Sequence, residues 1–418
     1  MKDKRKLLSN FFSLAILQGT NYILPLITLP YLVRVLGPGQ YGLIAFAQAF
    51  IQYFVLITDY GFNLTATREI SIHKENKHKV SKIFSIVMFI KLNFMIISFI
   101  AMLIIVLLVD KFTADLWIYI FTFGTVVGNV LIPIWFFQGM EKMKFITALN
   151  ILAKLLSTIS IFVFINSADD ILMVPLINAS SFIFSGILAL LIIFMKFKIK
   201  ISIPNKREIK QQLFEGWHVF ISQIAVSLYT ISNTFILGVF TNNTIVGYYA
   251  SGEKLVKAVQ GLIQPISQTI YPHISKLASN SKREAIRFIS KAFYFVGFIT
   301  LIMSSILLFF AEPIVSLVLG NQYTNSIIVV QILSFLPFII GLSNILGIQT
   351  MLTFNYKKEF SKIIITSSIL NLVIAFIMVN VMSYIGISLS VLFTEVLVTV
   401  CMFIFLYKKG IRMEVRNV

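Results

Sequence analysis

The sequence predicts an all-α polytopic membrane protein of about twelve transmembrane helices, arranged as two six-helix bundles around a central cavity. Three observations carry that expectation. The 418 residues are 58% hydrophobic and only 12% charged, with a mean hydropathy of +0.90, whereas a soluble domain is about a quarter charged. Apolar segments of about 20 residues, the length needed to cross a hydrocarbon core of about 30 Å, recur between short polar breaks. The first and second halves of the chain also resemble each other.

Taken in order, the spans are 11–36, 41–61, 83–109, 116–137, 145–165, 171–195, 212–240, 244–271, 291–311, 325–350, 360–382 and 386–407. The basic start MKDKRK leads into an apolar run that is too long for a signal peptide and lacks a small-residue cleavage site, so it reads as a retained first span. The Lys and Arg residues gather at the N-terminus, the C-terminus and in or beside the even-numbered loops. Lys111 is alone in the odd-numbered loops, which hold Asp110, Asp115, Asp169, Asp170 and Glu312. The positive-inside rule then puts both termini in the cytoplasm. Read this way, the net charge of +18 is a rim facing anionic headgroups, and it excludes nucleic acid as a partner.

The halves align without gaps in two places. A slide of 205 residues places Gln18 on Gln223, Leu32 on Leu237, Gly42 on Gly247 and Ala45 on Ala250; a slide of 209 sets VSKIFSIVMFI (80–90) on ISKAFYFVGFI (289–299). Six spans separate the copies, so the repeats run parallel about an axis along the membrane normal. The expected domains are 1–200 and 201–418, joined by the basic linker around 195–212 with Pro204 inside it.

Ionisable and amide residues inside spans mark the candidate site, because each is costly in lipid. Glu253, Lys257, Gln260, Gln264 and Gln268 recur at helical spacing down span eight, with Lys254 beside them. Span two carries Gln48, Gln52 and Asp59, which the slide of 205 places on Glu253, Lys257 and Gln264. Two equivalent helices with polar stripes point to a water-accessible cavity between the halves. The competing reading is a self-neutralising pair within a buried helix. Arg34 closes span one, where snorkelling explains it equally well; Lys91 lies eight residues into span three and is expected to snorkel. The sequence leaves open whether Arg34, Lys91, Lys154 and Glu395 face the cavity. Pro25, Pro30, Pro265 and Pro272 are expected to bend spans one and eight, and Gly124 with Gly128 reads as a helix-packing pair.

No nucleotide loop, zinc-protease motif or nucleophile elbow occurs, and the four histidines lack ligand spacing. The single cysteine, Cys401, excludes an intrachain disulfide and a cysteine metal site. The expectation is therefore a non-enzyme without cofactor or metal.

The stretches LVRVLGPGQYGLIAFAQAFIQYFVLITDYGFNLTATREIS (32–71), IPIWFFQGMEKMKFI (132–146), GEKLVKA (252–258) and YPHISKL (271–277) resemble the bacterial O-antigen flippases called Wzx. These form part of the polysaccharide transporter branch of the multidrug/oligosaccharidyl-lipid/polysaccharide exporter superfamily. The resemblance implies an inner-membrane transporter that moves an oligosaccharide on undecaprenyl diphosphate from the cytoplasmic to the periplasmic leaflet by alternating access. Membrane lipids and other polysaccharide-assembly membrane proteins would be its partners. On that reading Lys254 and Lys257, with Arg34, compensate the diphosphate, while Gln48, Gln52, Gln260 and Gln264 hydrogen-bond sugar hydroxyls. Glu253 and Asp59 are the ion-coupling candidates; Glu253, one turn before Lys257, would share that lysine with substrate and so link the two binding events. The alternative is a multidrug or cation antiporter of the same superfamily, for which these two acids would be the substrate-exchanging groups.

Overall fold

The structure is a computed structural model that describes residues 2–413, with side chains from residue 24 onward except at 225, 226, 228–230, 265, 268 and 269. Its regular structure is all helical, with no strand among the described residues. The helices are α1 (Lys2–Asp59), α2 (Phe62–His73), α3 (Lys77–Leu108), α4 (Asp110–Thr113), α5 (Leu116–Leu131), α6 (Ile134–Gly139), α7 (Met143–Phe164) and α8 (Met173–Lys196). After the linker come α9 (Lys206–Thr230), α10 (Ser232–Phe240), α11 (Asn243–Gly261), α12 (Gln264–Asn280), α13 (Lys282–Phe309) and α14 (Ala311–Val318). The chain ends with α15 (Ser326–Leu333), α16 (Leu336–Asn344) and α17 (Lys357–Lys408).

Among the described residues, eight helical stretches are long and apolar enough to cross a membrane. Two of them, Leu24–His73 and Lys357–Lys408, have 50 and 52 residues; the first takes in the end of span one and all of span two, the second all of spans eleven and twelve. In α1 the break falls at Gly37 (φ 70°, ψ 172°), while Pro25 and Pro30 leave the helix continuous. Gly37 tolerates positive φ and precedes Pro38, whose ring disfavours α geometry in the residue before it. In α17 the break is at Ser383 (φ 52°, ψ −130°), between the eleventh and twelfth spans. A side chain at Gly386 would overlap the Met378 carbonyl there.

Spans seven and eight differ from the others in continuity. Both spans are helical but interrupted, between α9 and α10 and between α11 and α12, and the polar stripe of span eight lowers its hydropathy. Pro265 sits in the first turn of α12, where a missing N–H costs nothing, so span eight is broken rather than merely bent.

By contacts the chain forms two compact units, one of residues 1–36 and 44–224, the other of residues 37–43 and 225–418. The first unit retains the linker: the Lys200 and Ser202 amides donate to Ser81 Oγ (3.2 Å) and Ser85 Oγ (3.0 Å), and Lys82 pairs with Glu208 at 2.6 Å. That docking carries the division past the linker to residue 224. Its core is an aromatic cluster in which Phe84, Trp135, Phe136 and Phe137 are fully buried, which accounts for the IPIWFFQG stretch. Gly124 and Gly128 of α5 face Ala179 and Phe182 of α8 closely enough that any side chain would clash.

The second unit displays the sequence repeat as a contact. A side chain at Gly42 would overlap the Asn243 carbonyl, and one at Gly247 would overlap the Pro38 carbonyl. The slide of 205 residues carries Pro38 onto Asn243 and Gly42 onto Gly247, so the two close approaches are repeat-equivalents of each other. Its core gathers Ile274, Ile289, Val296, Ile345 and Met402.

Candidate functional site in the second unit

α11 begins with the Asn242 side chain accepting from the Ile245 amide and continues for five turns. Glu253 and Lys257 lie one turn apart on it, in the favourable order of acid before base. The Lys257 ammonium meets the Glu253 carboxylate at 2.9 Å, and the other Glu253 oxygen accepts from the Tyr249 hydroxyl at 3.2 Å. The Lys257 side chain is 53% exposed, so the pair is open on the lysine side.

Beside it lies a cavity of about 320 Å³, lined by Glu253, Lys257 and Gln260 of α11 together with Asn233, Ser343, Asn344 and Glu395. Its remaining walls are apolar and include Leu336, Ile340 and Phe360. The chain from Ile345 to Leu352 winds as a π-helix directly after Asn344, a local departure that often marks functional positions. Glu395 is 9% exposed, and its carboxylate makes no hydrogen bond or ion pair among the described residues.

The structure separates the two lysines. Lys254 turns away from the cavity to the Tyr41 hydroxyl (3.5 Å), with its ammonium 5.9 Å from the Tyr41 ring centroid, a cation–π arrangement. Gln264 starts α12, beyond the helix break, and is exposed outside the cavity wall. The stripe therefore does not run straight past Gln260, and the Gln268 side chain lies outside the described residues.

In the first unit, Gln52 lines a smaller cavity of about 210 Å³ with Thr125, Asn129 and Asn150. Gln48 is exposed one turn earlier, Arg34 is exposed on α1, and Lys154 is half-buried on α7. Asp59 is the last residue of α1, before the left-handed pair Tyr60 (φ 43°) and Gly61 (φ 80°). Its carboxylate pairs with Lys91 of α3 at 2.8 Å and accepts from Asn63 at 3.4 Å. Lys91 does not snorkel as expected: its side chain is 2% exposed, because an acid one helix away offers a shorter route to neutrality than the headgroups.

The sequence reading did not reach Asn233, Ser343 and Asn344, and left Glu395 open. None belongs to a stripe within its own helix. What collects them is the packing of α16 and α17 onto α11 and α10, for which a lone acid at mid-span was the one available signal.

Helices that cross a membrane repeatedly, an internal repeat and a polar cavity among apolar walls define a multi-pass membrane transporter. Residues 7–278 match the model of the family described as polysaccharide biosynthesis protein. A protein of Escherichia coli (strain K12) carrying the name "Putative O-antigen transporter" is 40% identical over 409 residues, covering 96% of this chain and 97% of its own length. One of that same name from Shigella dysenteriae is 29% identical over 395 residues, with 94% and 98% covered. The chain belongs to the polysaccharide biosynthesis protein family and is a transporter, not an enzyme. Among solved structures, the fold resembles an inward-facing multidrug resistance MATE family transporter of the MOP superfamily (TM-score 0.74, 13% identity, 92% of this chain and 94% of that one). It also resembles the lipid II flippase MurJ in an inward closed conformation (TM-score 0.67, 14% identity, 95% and 87%).

Proposed function

We propose that this transporter is a flippase that moves an oligosaccharide linked to undecaprenyl diphosphate from the cytoplasmic to the periplasmic leaflet of a bacterial inner membrane. The observation that supports it most is the open Glu253–Lys257 pair at the edge of a polar cavity, in a chain whose relatives carry an O-antigen transporter name. A diphosphate arriving at Lys257 exchanges one anion for another, so the lysine is never left uncompensated in low dielectric. Lys254, held on the neutral Tyr41 hydroxyl and ring and turned from the cavity, becomes a second ammonium for the diphosphate once it leaves Tyr41. Gln48, Gln52, Gln260 and Gln264 serve sugar hydroxyls, and Arg34 stands at the end of the first span.

Glu253 is our coupling residue, because substrate and coupling ion then contend for one carboxylate–lysine pair, which is a differential-affinity route to alternating access. Asp59 is already committed to a sealed lysine and stands second. The basic loops support a cytoplasmic position for both termini.

Deleting the gene and following the lipid-linked sugar tests the reading. The flippase account expects the lipid-linked unit to accumulate on the cytoplasmic leaflet with loss of surface polysaccharide. Unchanged surface polysaccharide, together with new sensitivity to cationic dyes, would favour the antiporter instead.

A further inference from the structure

Glu395 is a nine-tenths buried carboxylate with no partner among the described residues, in a wall where Gln260 Nε2 also lacks one while Asn344 and Ser343 make hydrogen bonds. Asn344 accepts from Ser267 Oγ at 2.7 Å, and Ser267 in turn accepts from Gln349 Nε2 at 2.9 Å. That chain occupies the Asn344 carbonyl and turns its NH₂ group toward other acceptors. Ser343 donates to the Ile340 carbonyl at 3.2 Å and keeps its lone pairs. The cavity thus holds a strong acceptor (Glu395), a fixed amide donor (Asn344), a hydroxyl acceptor (Ser343) and a mobile ammonium donor (Lys257), facing Phe360, Leu336 and Ile340.

We propose that this cavity is a subsite for one sugar ring, in which Glu395 accepts from and Asn344 donates to neighbouring hydroxyls while an apolar ring face meets Phe360. The inference rests on the flippase reading and assigns it a specificity-determining residue. A sugar hydroxyl both donates and accepts, so a carboxylate beside an amide NH₂ matches two adjacent hydroxyls. The volume of about 320 Å³ is at the low end for ligand pockets, about 300–1,000 Å³, which suits one ring and not a whole oligosaccharide. Two other occupants fit worse. A phosphate is held at the open Lys257 edge and repelled from the interior by Glu395, and the Lys257 ammonium repels a small cation; among the described residues no three acidic, histidine or cysteine side chains come together. A site that buries an unpaired acceptor also discriminates strongly, since a sugar lacking the matching hydroxyl leaves that acceptor unsatisfied.

The test measures binding by purified protein of two probes: the lipid-linked repeat unit extracted from cells lacking this transporter, and undecaprenyl diphosphate bearing no sugar. Glu395→Leu should weaken the glycosylated lipid by about tenfold or more and leave the bare lipid unchanged. Glu395→Gln, which keeps an acceptor oxygen, should give an intermediate loss. Thermal unfolding should show both variants as stable as the wild type, because each removes an unpaired buried carboxylate. Equal weakening of both probes by Glu395→Leu would overturn the subsite. So would a Glu395→Gln protein with full affinity for the glycosylated lipid and no response to an imposed proton or sodium gradient, which would make this an ion site. Wild-type protein that binds neither lipid would sink the flippase reading and the subsite with it, so the two failures are told apart.

Discussion

Two intramembrane ion pairs of nearly equal length behave as opposites. In the first unit Lys91 meets Asp59 at 2.8 Å with its side chain 2% exposed, and in the second Lys257 meets Glu253 at 2.9 Å with its side chain 53% exposed. The repeat sharpens the contrast, for its slides place Asp59 and Lys91 on Gln264 and Thr300, and Gln48 and Gln52 on Glu253 and Lys257. Each unit keeps a charge pair where the other is neutral. A sealed pair has no way to exchange its partner and holds helices together; an open pair beside a cavity can trade its carboxylate for a ligand. The small cavity of the first unit, with Gln52, Thr125, Asn129 and Asn150, offers hydrogen bonds without charge.

The comparison breaks most readily at the sealed pair. Lys91→Met strands the partly buried Asp59 carboxylate and should cost about 1–3 kcal/mol, seen as a fall in thermal unfolding temperature or in membrane level. Adding Asp59→Asn should restore most of that loss. A single variant as stable as the wild type would show that the pair is not sealed in the membrane.

Lys257→Gln should do the reverse. The pair is open to solvent at its lysine, which brings its worth toward the figure of about 1 kcal/mol or less for exposed pairs, so the protein should unfold near its normal temperature while surface polysaccharide is lost. Gln52→Leu, at the equivalent place in the first unit, removes one neutral hydrogen bond of about 1 kcal/mol. It should leave transport within about tenfold of normal. If the two variants impair export equally, the charge asymmetry between the units has no functional meaning.

The repeat itself is tested at the glycine crossing. Gly42→Val and Gly247→Val each push a side chain into a carbonyl of the facing segment, and overpacking of this kind costs about 1–3 kcal/mol. Similar losses of thermal stability would confirm that the contacts are equivalent.

Much of this was legible in the sequence, for different reasons at different places. Hydropathy located spans such as 83–109, which becomes α3, and the interval between 382 and 386 contains the Ser383 break. Helical spacing found Glu253, Lys257 and Gln260 because they share a face of one helix. It could not see that Lys254 would turn to Tyr41, which lies 213 residues away, or that Lys91 would find Asp59 across 32. The break between α11 and α12 also cut the stripe before Gln264, and residues gathered by tertiary packing, Asn344 and Glu395 among them, carry no periodic signal of their own.

A smaller effect concerns the linker. The Lys82 ammonium, hydrogen-bonded to Glu208, holds that carboxyl below its ordinary range. A carboxyl depressed in the folded state contributes stability that is present above its unfolded pKa and lost as pH falls through the folded one. Linker docking should therefore loosen in acid, read as faster protease cleavage near residue 205, and Glu208→Gln should make that cleavage less dependent on pH.

The central claim is that the open pair holds the substrate and the sealed pair holds the fold. Its most direct measurement is flipping of the lipid-linked oligosaccharide by protein reconstituted into vesicles, comparing wild type, Lys257→Gln and the double variant Asp59→Asn with Lys91→Met. The account predicts transport by the wild type and by the double variant, and none by Lys257→Gln despite a normal unfolding temperature. Wild-type rates from Lys257→Gln would contradict it.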